Sequence, residues 1–368
     1  MANERASQQQ PWDLYSDYLQ LDKILHAQTL ASAAAGRGAH DEMLFIVFHQ
    51  IYELWFKQIL FELDDIQARF SRSVVDDRDM QPILTRLERI AAIWRLLVQQ
   101  IDVLETMSPQ DFIDFRDFLK TASGFQSWQF RLIETRLGLR REDRLSVFHG
   151  QFDENFREEH KQPIAAAEKS SSLFEELDGW LARTPFVSGS GYAFGDSYRA
   201  AVHKMLDEKE ALARQNLVGE ALAVETQAIA RGRRKFDGIF DAGVHQAAQK
   251  DKQWRMSLKA LQAALFITVY RQEPVMQIPW RLLSLVMDVD ELLAQWRYRH
   301  ALMVQRMVGM SMGSGGSSGY GYLIQTLEKH RIFADLFALS GYLIPARALP
   351  KLPESVSAAM GYRYTSGP

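Results

Sequence analysis

The chain has 368 residues, 47% hydrophobic and 24% charged, enough for one large domain or two ordinary ones and too apolar for a disordered chain. Its 43 Lys and Arg against 46 Asp and Glu leave a net charge of -3, which gives no support to a protein built on phosphate-backbone contacts. Cysteine is absent, which excludes disulfides, Cys-ligated zinc, iron–sulfur clusters, thiolate haem and cysteine nucleophiles, so metal chemistry falls to nine histidines, the carboxylates or tyrosine.

In chain order, residues 1–10 are polar, lack the apolar core of a secretory signal and predict a mobile terminus. Asp41 to about Phe61 predicts a helix that is apolar almost all round, and Ile83–Leu104 predicts an amphipathic one. The stretch from about 153 to 252 carries more charge and predicts a helical excursion, with apolar stripes over Ser172–Leu181 and Ala200–Leu212 and a Gly/Ser loop over 187–195. Met256–Tyr270 follows as a further amphipathic helix. Leu282 to about Val308 is a second helix apolar on most sides, ended by the glycine-rich run 309–319. Pro82, Pro109, Pro163, Pro185, Pro274 and Pro279 read as boundaries between periodic segments. No two-residue alternation of strand length occurs, and no Asn-Gly or Asp-Gly turn joins two such runs. The expected fold is all-α: one helical bundle domain over 11–357, the two apolar helices at its centre, and a mobile tail from 358 to 368. No apolar run reaches the ~18 residues of a spanning helix, so no membrane association and a cytoplasmic location are expected.

Four features could carry chemistry. His300 shares a helical face with Leu293, Trp296, Met303, Val304 and Met307. A neutral imidazole on an apolar wall is what an iron porphyrin needs from an axial ligand. His49 lies on the other apolar helix with Phe45, Tyr52 and Glu53 along one side, so a cofactor could sit between the two. Each histidine alone is more commonly a hydrogen-bonded core residue. A di-iron bundle would need Glu-x-x-His pairs, and none is present. Arg116 stands among phenylalanines, where burial would demand an anion; a carboxylate ligand and an internal salt bridge both satisfy that. The run 313–319 lacks the Gly-Lys-Ser/Thr ending of a phosphate loop, yet its backbone N–H groups and hydroxyls could meet a carboxylate.

The segments 40–57, 115–127 and 296–320 together resemble the tryptophan 2,3-dioxygenase family, as do 15–22 and 333–345, in the family's order from about 14 to 350. The resemblance implies an all-helical protein that binds haem b (iron protoporphyrin IX) and uses O2 as co-substrate. Its reaction opens the indole C2=C3 bond of L-tryptophan to N-formylkynurenine, in the kynurenine pathway of tryptophan degradation. His300 is then the axial haem ligand, with Trp296 beside it and Ser123 near a propionate. His49 is the catalytic-side histidine that holds the indole N–H. Phe45 and Phe112 pack on the indole, while Arg116 and Ser314 hold the amino-acid end. Tyr15 and Tyr18 come from a neighbouring subunit, in a homotetramer (a dimer of dimers) whose N-terminal segments complete adjacent sites. Nucleic acid is not an expected partner. Ser314 replaces the family's usual threonine, which keeps the hydroxyl and frees the side chain. That change motivates the alternative of a relative that monooxygenates tryptophan or a substituted tryptophan; a non-catalytic helical protein is the third reading. A remote tryptophan site is half matched: Trp180, Arg183 and Pro185 fit, but Asp76-Asp77-Arg78 does not, and that site is not carried over.

Overall fold

The computed structural model describes residues 14–119, 123–145, 153–154, 156–185, 187, 192–309 and 319–361, and every regular element among them is helical. The N-terminal arm consists of α1 (Tyr15–Leu19), α2 (Leu21–Leu25) and α3 (Ala31–Ala34). The first two bury no residue at all. The arm joins the body at a polar clamp. Glu42, itself buried, accepts from the backbone N–H groups of Ala31 and Ser32 at 2.8 and 2.9 Å, and Gln28 donates to Gln50 at 2.7 Å.

The body is built on α4 (Asp41–Phe70) and α5 (Asp77–Leu104), followed by α6 (Pro109–Arg116) and α7 (Trp128–Leu137). Next come α8 (Glu158–Lys169), α9 (Leu173–Leu181), α10 (Phe194–Asn216), α11 (Gly219–Asp237), α12 (Ala242–Lys250) and α13 (Leu258–Val269). The chain ends with α14 (Gln277–Val308), α15 (Gly319–Lys329), α16 (Ala334–Ala338) and α17 (Glu354–Ala359). The principal seams run along α14 with α5, α14 with α15, and α4 with α5. One continuous cluster of buried apolar side chains extends from Phe48 to Met360.

Local chemistry explains the main boundaries. Asp76 accepts from the Arg78 N–H and caps α5; Ser108 and Asp111 form a capping box on α6, with Pro109 in its first turn where no N–H is needed. Of the prolines expected between segments, Pro82 and Pro163 lie instead in the interiors of α5 and α8, and Pro279 falls in the first turn of α14. Pro82 and Pro163 each stand near the helix N-terminus, so only one intrahelical bond is forfeited, and the buried faces on either side hold the helix together. His40 precedes α4 but makes no side-chain cap bond.

The excursion is narrower than expected. Among 153–252, α8 packs on α7, and α9 packs on α4 and α13, so both belong to the body; α10 and α11 pair mainly with each other. Nor is α4 enclosed all round: Leu54 and Phe61 are 53% and 69% exposed. Hydrophobicity averaged around the helix did not separate the face that meets α5 and α7 from an outward apolar stripe.

At the α4–α5–α14 junction the indole of Trp94 is fully buried, with ring centroids 6.0 Å from Phe56, 6.5 Å from Phe130 and 5.9 Å from Trp296. Trp94→Ala should lower unfolding stability by about 3–5 kcal/mol through lost burial and the cavity left behind. Urea denaturation measures this, and an unshifted midpoint would remove the junction from its central place.

Candidate active site

A cavity of about 290 Å³ lies between α4 and α14, closed by α5, α6, α7 and α15. Six residues singled out in the sequence line it together: Phe45, His49, Phe112, Ser123, Trp296 and His300. The wall is otherwise mainly apolar, with Phe48, Phe56, Met107, Met303 and Met307 among its side chains.

The two histidines are prepared differently. On α4, His49 Nδ1 lies 2.7 Å from the Phe45 carbonyl. A carbonyl only accepts, so Nδ1 carries the proton and Nε2 keeps its lone pair. Burial holds this imidazole below the ordinary histidine pKa, against opposing contributions from that hydrogen bond and from Glu53. On α14, His300 stacks on Trp296 one turn earlier, with centroids 5.2 Å apart and planes within 3°. Its Nδ1 is buried without a hydrogen-bond partner. Burial first, then the neighbouring His49, pushes its pKa down to about 4. His300 is therefore a neutral, oriented imidazole whose nitrogens the protein leaves uncommitted, the condition a metal ligand requires.

Part of the cavity wall is ionic. The Glu134 carboxylate on α7 is completely buried and meets Arg131 at 3.1 Å, Arg297 of α14 at 2.6 Å, and Arg144. Burial alone would raise its pKa, but the charges of Arg144 and Arg131, the nearby His330 imidazole and the charge of Arg297 hold it well below the carboxylate range. Arg131 and Arg297 both line the cavity and share this single carboxylate. Glu53, the other carboxylate in the lining, is engaged by Gln129 at 2.8 Å. The cavity wall at Arg131 and Arg297 is therefore locally cationic and suits an anionic group.

Sequence reasoning missed this cluster. It singled out only His49 and His300 among the histidines, yet His330 lines the cavity and its side chain is 1% exposed. Its members are scattered over positions 131 to 330, and the only local sign was the Arg131–Glu134 spacing of three on one helix. Arg116 is exposed at the last turn of α6, outside the cavity lining, with its guanidinium 6.0 Å from the Phe112 ring. The aromatic flanks do not bury it: Phe115 turns inward and the arginine turns out. Tyr15 and Tyr18 are 76% and 68% exposed on α1 and do not line this cavity. Ser314 and most of the Gly/Ser run lie outside the described residues. At the half-matched remote site, Asp76 and Arg78 pair with each other at 2.8 Å, and Arg183 donates to the Ser73 carbonyl.

Fold and cavity together define an all-helical protein with a mainly apolar chamber, one imidazole free of hydrogen bonds and a locally cationic wall. The family model for tryptophan 2,3-dioxygenase matches residues 2–343. Tryptophan 2,3-dioxygenase of Bdellovibrio bacteriovorus is 44% identical over 352 residues, 95% of this chain and 98% of the relative. The enzymes of the same name from Alteromonas mediterranea and Anopheles gambiae are 41% and 43% identical, covering 95% and 96% of this chain and 97% and 91% of their own lengths. The chain belongs to the tryptophan 2,3-dioxygenase family.

Glu134→Gln leaves buried guanidiniums without their counter-charge and should cost about 3–5 kcal/mol at neutral pH. Because the folded-state pKa is depressed, the carboxylate's contribution is present above the ordinary value of 4.5 and is lost as pH falls through the folded value. Thermal midpoints of wild type and variant should therefore converge only at strongly acid pH; a constant gap across pH would contradict the assignment.

Proposed function

We propose that this cavity performs the reaction for which the family is named, insertion of both atoms of O2 into the indole C2=C3 bond of L-tryptophan to give N-formylkynurenine. The observation that carries the reading is His300, a neutral imidazole whose buried Nδ1 has no hydrogen-bond partner, on a mainly apolar chamber with a locally cationic wall.

These residues fit haem. No group of three or more His, Cys, Asp or Glu among the described residues could cage a bare ion, whereas one imidazole suffices for a metal carried by a macrocycle. His300 would hold the iron, with Trp296 fixing the plane of the imidazole. Arg131 and Arg297 would meet the two carboxylates of the porphyrin, with Ser123 nearby on the same wall. When bound, haem supplies the O2 activation that no side chain here can provide.

The chain's own residues hold and orient the substrate. His49 Nε2 accepts the indole N–H because its other nitrogen is committed to the Phe45 carbonyl. Phe45 and Phe112, with ring centroids 6.0 Å apart, flank the indole and keep water away from it. Arg116 and Ser314 hold the carboxylate and ammonium ends. Orientation of the ring is the protein's main contribution to rate.

The same reading extends to assembly. Leu14, Tyr15, Tyr18 and Leu25 expose apolar surface in the part of the arm, α1 and α2, that buries no residue in its own chain, which supports a homotetramer in which Tyr15 and Tyr18 complete a neighbour's site. One domain over 11–357 and a cytoplasmic location complete the proposal. Among the described residues no helix is long and apolar enough to cross a membrane.

The purified protein should show a Soret band, and the product from L-tryptophan should gain two oxygens. His300→Ala should lose haem; a haem-replete, fully active His300→Ala would sink the assignment. Arg116→Ala removes a charge-assisted contact of about 1.5–3 kcal/mol, so KM should rise about 10- to 100-fold with little change in kcat. His49 acts neutral and its pKa is depressed, so activity should fall on the acid side only below the ordinary value of 6.5. That limb should be missing from the kcat/KM profile of His49→Ala.

A further inference from the structure

His330 follows α15 and touches three separate parts of the chain. The Leu145 backbone N–H donates to its Nε2 at 3.2 Å, and its own carbonyl accepts from Arg297 Nη1 at 3.2 Å. Because Nε2 accepts, the neutral ring carries its proton on Nδ1. That nitrogen is buried without a hydrogen-bond partner, yet lies only 3.7 Å from Glu134 Oε1. Burial holds the imidazole below its ordinary pKa, although Glu134 pulls the other way. A buried donor stopping just short of an available acceptor is costly, and such groups persist where a further arrangement satisfies them.

The groups facing it suggest that arrangement. Glu134 Oε2 is held by Arg131 and Arg144, while Oε1 is held by Arg297. Arg131 is the member that both lines the cavity and sits loosest on the carboxylate, at 3.1 Å. When Arg131 turns its guanidinium toward a carboxylate in the cavity, Glu134 loses one donor, and His330 Nδ1–H is placed to replace it.

We propose that His330 is a positioning residue for the cofactor: its Nδ1–H closes on Glu134 as Arg131 engages a porphyrin carboxylate, and so keeps the buried charge balanced in the loaded protein. This rests on the haem reading above. It assigns His330 no contact with substrate and no part in proton transfer.

Two substitutions isolate the donor. Both His330→Asn and His330→Phe remove the acceptor of the Leu145 N–H, but the Asn amide nitrogen can stand where Nδ1 stands and Phe offers no donor. Haem release from the full-length protein into excess apomyoglobin is timed by the Soret change, with the thermal midpoint of each haem-free protein as the control for folding. His330→Phe should release haem about tenfold faster than wild type, the effect of one hydrogen bond of ordinary strength. His330→Asn should stay within about threefold of wild type, with haem-free midpoints of the two variants alike. Should His330→Phe not fold, His330→Leu serves as the donor-free variant of smaller volume, with the same expectation. Equal release rates for the donor-bearing and donor-free variants overturn the role of His330 and leave the haem reading standing. A wild-type protein with no Soret band overturns both.

Discussion

Glu134 is a carboxylate with no access to water, and it stays ionised because guanidiniums from three places in the chain converge on it. Ions this deep are expensive to desolvate, so none of the four groups could remain there alone. Their mutual dependence ties α7 to α14 and sets the distance between the helices that bound the cavity. Asp290 repeats the device nearby, accepting from Arg331 and from the Ile332 N–H and so anchoring the segment after α15 to α14. The chamber keeps its width because polar struts, rather than apolar contacts alone, brace one end.

The same dryness that makes the struts necessary prepares the histidines. Both imidazoles are kept neutral by burial, and their difference lies in where the protein uses their nitrogens. His49 spends Nδ1 on its own helix, one turn back, and is left an acceptor. His300 is held by stacking on Trp296 and commits neither nitrogen to a hydrogen bond, which leaves a flat, oriented ligand. One physical cause, removal of water, thus supports an acceptor for an N–H on one wall and a proposed metal ligand on the other.

Much of the architecture was legible because helices announce themselves through spacing. Where the reading fell short, the reason is consistent. The first apolar helix was expected to end near Phe61 but runs to Phe70, through the polar residues Glu62 and Gln67. Glu62 is buried, and Arg89 meets it at 2.7 Å. The aromatic neighbours of Arg116 left its burial open; on a helix, adjacent residues point about 100° apart, so neighbours need not share an environment. His330 was passed over because none of its partners lies near it in sequence.

By itself, the sequence determined the all-helical class, the two helices that carry the histidines and, through motifs in register, the family. Those features depend on residues close to one another along the chain, where periodicity and spacing are visible. Tertiary structure alone decided which charges are buried together, that Arg131, Glu134, Arg297 and His330 face the same chamber as His49 and His300, and that Tyr15, Tyr18 and Arg116 stand outside it. Those are pairings between distant segments, created only when water is excluded between them, and no local pattern encodes them.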